Sequence, residues 1–365
     1  VSVLIVSNMY PHPRAPEHGV FVRDQVAALQ AEGVACTVVA SGESRKGARY
    51  TLPKYLGLLA GALRAAARQR FAVVHGHYLF PTGPIAWLAG RLRGSALILT
   101  VHGSDLYHHP RWARPLVAAV LRSADHVVAV GEQLAADLSA RFGLPAERIS
   151  VIDMGVDSAA FRALPQAEAR RRLGLDPGPL LLAAGRLVPS KGLAVLLQSL
   201  ADYPAAYGEA RLVVLGAGPA AAGLAAQAAR LGLAERVRFA GAVARDELPL
   251  WLAAADCLVH PALEEGFGLA VIEAMSCGRI VVASAVGGIP GFVVDGQNGL
   301  LVPPGDARAL AAAVARALGL GAGEARRIQA AARATAEAHD LRRQARRLAG
   351  LYARLSPAGA RRASA

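Results

Sequence analysis

The chain has 365 residues, which at roughly 150 residues per domain suggests two domains. Hydrophobic residues make up 54% of it and charged residues only 18%, so it cannot be a disordered or solvating polypeptide, which lacks the apolar surface to offset ordering entropy. The formal charge is +13, and from Glu324 onward ten Arg face three acids, so more than half of the excess sits at the C-terminal end.

That charge has three readings: solvated Arg-rich helix faces, a face meeting anionic lipid, or a nucleic-acid surface. No zinc finger or RNP motif accompanies it, so nucleic acid is not expected as a partner. Cys36, Cys257 and Cys277 form no C-x-x-C or Cys/His cluster, which excludes a disulfide scaffold or zinc ribbon and points to a reducing compartment. No apolar run reaches the roughly 18 residues of a membrane span. The opening VSVLIVSNMYPHP lacks a basic n-region and a small-residue cleavage site, so it reads as a first core strand rather than a signal peptide. The expected location is cytoplasmic, or peripheral at the inner face of the membrane.

Along the first half, short apolar runs predict strands at 1–7, 35–40, 73–77, 97–102, 126–130 and 149–152. The second half repeats the rhythm at 180–184, 211–215, 237–239, 257–260, 280–283 and 299–302. Runs this continuous imply strands buried on both faces, as in parallel sheets covered by helices. Stretches with 3.6-residue apolar spacing follow them, for example 22–32 and 193–200. Alternating strand and helix predicts α/β architecture, with two doubly wound Rossmann-like parallel-sheet domains facing across a cleft. The rhythm breaks in GVDSAAFRALPQAEARRRLGLDPGP, placing the domains at 1–160 and 161–340, with a helix at 341–357 and a disordered tail at 358–365.

The most informative segment is HPALEEGFGLAVIEAMSCG, from His260 to Gly278. A strand ends at His260, a loop carries Glu264 and Glu265, and Gly266-Phe267-Gly268 opens a helix beginning near Leu269. The glycines allow close backbone approach, and free N–H groups at a helix start attract an anion. Glu265 in the loop and Glu273 in the helix can line one pocket from different directions. Carboxylates suit sugar or ribose hydroxyls, whose O–H groups they accept. In LLLAAGRLVPSKGLAVLLQSL, Arg186 and Lys191 stand on a strand-to-helix turn. They are either two solvated cations or a pair converging on a diphosphate, Arg as a fork and Lys as a point charge. His102, at the end of LILTVH, is either a core or loop histidine or a site residue. His75 and His77 share one strand face, but no carboxylate or third ligand accompanies them, so polar packing rather than a metal is expected. His108-His109 reads as a surface turn.

These segments, with VVASAVGGIPGFVVDGQNGLLVPPGD, resemble the retaining glycosyltransferases of family 4, which have the GT-B fold. The resemblance covers nearly the whole chain. It implies that a nucleotide-sugar donor binds the second domain, with Arg186 and Lys191 on the diphosphate and Glu273 on the ribose. It also implies Glu265 on the transferred sugar, backbone around Gly268 and Leu269 on the phosphates, and Gly266 and Phe267 among the substrate-binding residues. Gly216 and the turn at Gly241 would frame the nucleotide and its base. In the first domain, YPHPRAPEHGVFVRDQVAAL implies that Gly19 approaches donor and acceptor, and His102 would face the sugar. The helix from Leu341 resembles the family's closing helix, which crosses back onto the first domain. Two positions depart from the family: Met154 stands where many relatives carry Asn, and Gly291 stands where a Glu often follows Gly-Gly-Ile-Pro.

The implied activity is transfer of a hexose-type sugar from a UDP- or GDP-sugar to a sugar or lipid-linked saccharide, in polysaccharide or glycoconjugate synthesis. Its catalytic groups would be His102, Glu265, Arg186 and Lys191. No metal or other cofactor is expected, since no D-x-D triplet is present. The Arg-rich face at Arg342, Arg343, Arg346 and Arg347 becomes a candidate for contact with anionic lipid. Two other readings use the same residues: a nucleotide-sugar epimerase of the same fold, and a non-enzymatic basic protein that binds nucleotides or a membrane surface.

Overall fold

The computed structural model describes residues 1–13, 18–43, 45 and 47–356. The chain forms two compact units. One comprises Val1–Gly155 with the C-terminal helix Leu341–Leu355, and the other is Val156–Asp340.

The first unit is built on a six-stranded parallel sheet of β1 (Ser2–Ser7), β2 (Ala35–Ala40), β3 (Val73–His77), β4 (Ala96–Val101), β5 (His126–Ala129) and β6 (Ile149–Val151). Its strand order is β2-β1-β3-β4-β5-β6. Val3, Leu4, Ile5 and Val6 are all fully buried, which is why this run shows no polar alternation: helices cover both faces. The second unit repeats the plan with β7 (Leu180–Ala184), β8 (Arg211–Leu215), β9 (Val237–Gly241), β10 (Cys257–His260), β11 (Ile280–Ser284) and β12 (Leu300–Val302), also all parallel. Here the order is β12-β11-β10-β7-β8-β9. Each sheet therefore reverses direction once, between β1 and β3 in the first unit and between β7 and β10 in the second. At such a reversal the two following loops diverge to opposite faces and leave a crevice beyond the carboxyl ends of the strands.

All twelve expected strands are present, some with the expected bounds and the rest with ends shifted by at most two residues. β9 extends to Gly241, past the expected end at 239, through an irregular pairing at Val214/Leu215. The helix expected from 22 starts at Val20, which is buried together with Val22 and Val26.

The domain line drawn from sequence at 160/161 stands beside a division between Gly155 and Val156. Residues after that point are tied into the second unit. Phe161 is buried and its carbonyl accepts from Ser276 Oγ at 2.5 Å, while Val156 N donates to the His339 carbonyl at 3.0 Å. The tail at 358–365, and residue 357 of the expected helix, lie outside the described residues.

Helix Leu341–Leu355 places Leu341, Ala345, Leu348 and Tyr352 on one face, at spacings of three and four. That face is buried in the same apolar cluster as Val22, Val26 and Leu29 of helix Val20–Ala31. Leu348 is completely buried, so Leu348→Ala should cost about 2–5 kcal/mol, as loss of a packed leucine side chain does. Chemical denaturation read by circular dichroism checks this, and an unshifted midpoint would show that the helix is not part of the first unit's core.

Candidate active site

The reversal in the second sheet puts the turn after β7 beside the loop after β10. Their approach is close: a Cβ on Gly192 (φ +65°) would lie 1.9 Å from the Pro261 carbonyl oxygen, so only glycine fits. The contact is reinforced by Leu263 N, which donates to the Ser190 carbonyl at 2.8 Å. Two segments more than seventy residues apart are thereby clamped together, and their side chains meet.

Lys191 Nζ donates to Glu265 Oε2 at 2.6 Å, and His260 Nε2 lies 2.7 Å from the same oxygen. The other oxygen, Oε1, accepts from Gly266 N at 3.0 Å. Burial alone would push the Glu265 carboxyl up, but the hydrogen bond from His260 and the charge of Lys191 outweigh it. The carboxyl is held well below the usual carboxylate range. Arg186 is exposed and makes no ion pair among the described residues. With Lys191 and His260 it lines one small crevice at the ends of β7 and β10, floored by Ala184 and Val259.

Beyond Glu265 the chain passes through Gly268 (φ +100°) into helix Leu269–Ser276. The left-handed conformation at Gly268 lets the helix begin abruptly, with its first N–H groups lacking intrahelical acceptors. The Phe267 ring turns away into the core, against Phe292 at 5.0 Å and His339 at 5.9 Å, so this residue can offer a ligand only its backbone. Leu269 is half-buried at the helix start. One turn further on, Glu273 is 3% exposed, and Arg245 Nη1 lies 2.5 Å from its Oε1. The two carboxylates expected to share a pocket are thus held by different cations. Gly216 and Gly241 are joined by a 2.7 Å backbone hydrogen bond at the ends of β8 and β9.

Three histidines gather at the carboxyl edge of the first unit. His75 contacts the Tyr352 hydroxyl and the Thr100 hydroxyl, each at 2.6 Å. It is packed as a polar core residue, as expected, and no cluster suited to a metal occurs among the described residues. His77 Nδ1 meets His102 Nε2 at 3.1 Å. Asp105 accepts from the main-chain N of Leu79 and of His102, and burial raises its carboxyl to about 6 against those bonds. Gly19 precedes helix Val20–Ala31, and the loop at 11–19 that it closes lies partly outside the described residues. Gly291 is open: a side chain there would meet nothing within 4 Å.

Sequence reasoning missed the roles of His260 and Arg245. A histidine ending a strand five residues before Glu265 was a usable signal. For Arg245, the clue was a glutamate inside the apolar stretch LAVIEAM, which demands a buried cation.

This pair of doubly wound sheets is shared with solved glycosyltransferase structures of the GT-B fold. Sucrose-phosphate synthase from Thermosynechococcus elongatus superposes with a TM-score of 0.83 and 24% identity, covering 97% of this chain and 98% of that one. HepE from Anabaena in complex with UDP superposes with a TM-score of 0.79 and 22% identity, covering 96% and 99%. In sequence, the model of glycosyl transferases group 1 matches residues 165–335, and that of glycosyltransferase family 4 matches residues 18–160. A D-inositol 3-phosphate glycosyltransferase of Thermobispora bispora is 35% identical over 310 residues, 78% of this chain and 72% of that protein. The chain belongs to the group 1 glycosyltransferases of family 4, and it is a glycosyltransferase of the GT-B fold.

Because the Glu265 carboxyl is depressed in the folded protein, its stabilising contribution is complete above the unfolded value of 4.5 and drains away as pH falls below it. Glu265→Gln should therefore lower the melting temperature most near neutral pH, with the deficit shrinking from about pH 4.5 downward. Thermal scans across that range check the point, and a deficit independent of pH would contradict it.

Proposed function

We propose that the chain is a retaining, metal-independent glycosyltransferase that takes a UDP- or GDP-sugar as donor and a saccharide or lipid-linked saccharide as acceptor. The observation that carries this reading is the grouping at the β7/β10 reversal. Lys191 is anchored on a largely buried carboxylate, Arg186 beside it makes no ion pair among the described residues, and a glycine-opened helix start follows within the same loop. A lysine ammonium has three N–H donors. One holds Glu265 and the others remain for a diphosphate, while Arg186 supplies a planar fork. HepE was solved in complex with UDP, and the D-inositol 3-phosphate glycosyltransferases are named for a polyhydroxylated compound, which supports both halves of the reading.

As the bond from the anomeric carbon to the phosphate oxygen breaks, negative charge grows on the diphosphate. Fixed cations and helix N–H groups stabilise that charge more than the ground state. The acceptor oxygen forms its bond to the anomeric carbon on the same face, and its proton passes to the departing phosphate oxygen. Glu265 orients sugar hydroxyls. Glu273 accepts from the ribose hydroxyls beside its contact with Arg245, and His102 contacts the sugar. Polysaccharide or glycoconjugate assembly at the cytoplasmic side of a membrane fits such an acceptor. No helix among the described residues is long and apolar enough to cross a membrane. Arg342, Arg343, Arg346 and Arg347 are exposed on helix Leu341–Leu355, although Arg346 faces Glu32 at 3.7 Å and Arg347 donates to the Val151 carbonyl at 2.6 Å. Contact of this face with anionic lipid predicts co-sedimentation with vesicles that rises with their anionic content, and indifference to that content would remove it.

Thermal-shift screening with UDP, GDP and their sugars identifies the donor, because a ligand that binds the folded state raises apparent stability. With that donor, Lys191→Ala and Glu273→Gln should each lower turnover on the order of 10²-fold. NMR of the product should show the donor's anomeric configuration. Near-normal turnover in both variants, or an inverted product, would overturn the reading. A new sugar nucleotide formed without acceptor would favour an epimerase.

A further inference from the structure

Among the buried histidines, one is left with a loose end. His75 uses both ring nitrogens, on Tyr352 and Thr100. His77 uses only Nδ1, on His102, and its Nε2 is buried with no hydrogen-bond partner among the described residues. His102 is held by further contacts. Tyr78 stacks on its ring at 4.4 Å between centroids, Phe21 lies at 5.1 Å, and its main-chain N donates to Asp105 Oδ1 at 2.9 Å. Tyr78 takes φ +74°, a left-handed conformation rare for a non-glycine residue, and its ring lies against His102. What remains of His102 is Nδ1, which has no partner among the described residues.

The 3.1 Å contact joins two neutral rings, since burial pushes both imidazoles down, His77 to about 3. One ring must donate and the other accept. If His102 donated from Nε2, His77 would carry its own proton on Nε2, burying an N–H with no acceptor. If His77 donates from Nδ1, only a lone pair is orphaned there. Buried N–H groups without acceptors are the rarer case in proteins, so the second pairing prevails.

We propose that His77 is a positioning residue that locks His102 in the Nδ1–H tautomer, so that His102 meets the sugar as a hydrogen-bond donor and not as a base. The inference deepens the proposed function and rests on its placement of the sugar at His102. A ring presenting N–H to a sugar oxygen holds that sugar in place but cannot take the acceptor's proton. That task is left to the phosphate.

The test is a long-range ¹H–¹⁵N correlation spectrum of the full chain labelled at histidine, with His102 assigned by its loss in His102→Asn. The wild type should show His102 protonated at Nδ1, and His77→Leu should shift it toward Nε2–H. His77→Asn, whose amide can donate from nearly the same position as Nδ1, should keep the wild-type pattern. In turnover, His77→Leu should lose about tenfold in kcat with little change in donor KM, and His77→Asn should recover most of it. A wild-type His102 protonated at Nε2, or a tautomer unchanged in His77→Leu, would overturn the proposal whether or not sugar transfer is observed. Absence of transfer with the expected tautomer would instead count against the proposed function alone.

Discussion

The second unit is organised around one largely buried carboxylate. Glu265 sits where water is scarce, and an isolated charge there would cost several kcal/mol. Lys191 and His260 remove that cost, and they can do so only because the sheet reverses between β7 and β10 and Gly192 lets the two loops touch. The same contact fixes the ammonium of Lys191 in a defined place before any ligand arrives. Preorganised charge of this kind is what a departing diphosphate requires, because no reorganisation is needed as its charge develops.

A second buried carboxylate follows the same rule with different partners. Glu273 has Arg245, from the segment after β9, so the end of β9 is linked to helix Leu269–Ser276 through an ion pair. Arg245 also lies over the Phe161 ring at 4.5 Å, tying in the start of the second unit. In the first unit, neutral histidines and aromatic rings take the place of ion pairs. His102 is held by stacking, by one ring hydrogen bond and by its own main chain, with the strained Tyr78 as the clamp.

The strands were legible because burial on both faces leaves a continuous apolar run that no helix interrupts. Val3–Val6 and Val281–Ala283 are plain examples, all fully buried. The order of the strands was not written in those runs, yet it decides which loops meet. Lys191 and Glu265 were each singled out, but their hydrogen bond joins positions that no local spacing connects. Arg245 went unnoticed because an arginine in a polar turn looks solvated until the buried Glu273 opposite it is seen. Phe267 was read as part of a binding loop, and the structure adds that its ring fills the core beside Phe292, since an aromatic side chain gains more from packing than from facing a polar ligand. His77 shows the same limit: the alternation along β3 placed it on the face of His75, while its contact with His102 comes from the neighbouring strand.

The most direct measurement is a crystal structure of the full chain with UDP or GDP bound. A β-phosphate should lie within hydrogen-bonding distance of Lys191 Nζ and of the N–H groups at the start of helix Leu269–Ser276, with the Arg186 guanidinium turned onto it. A nucleotide lodged elsewhere, with Lys191 still engaged on Glu265 alone, would contradict it.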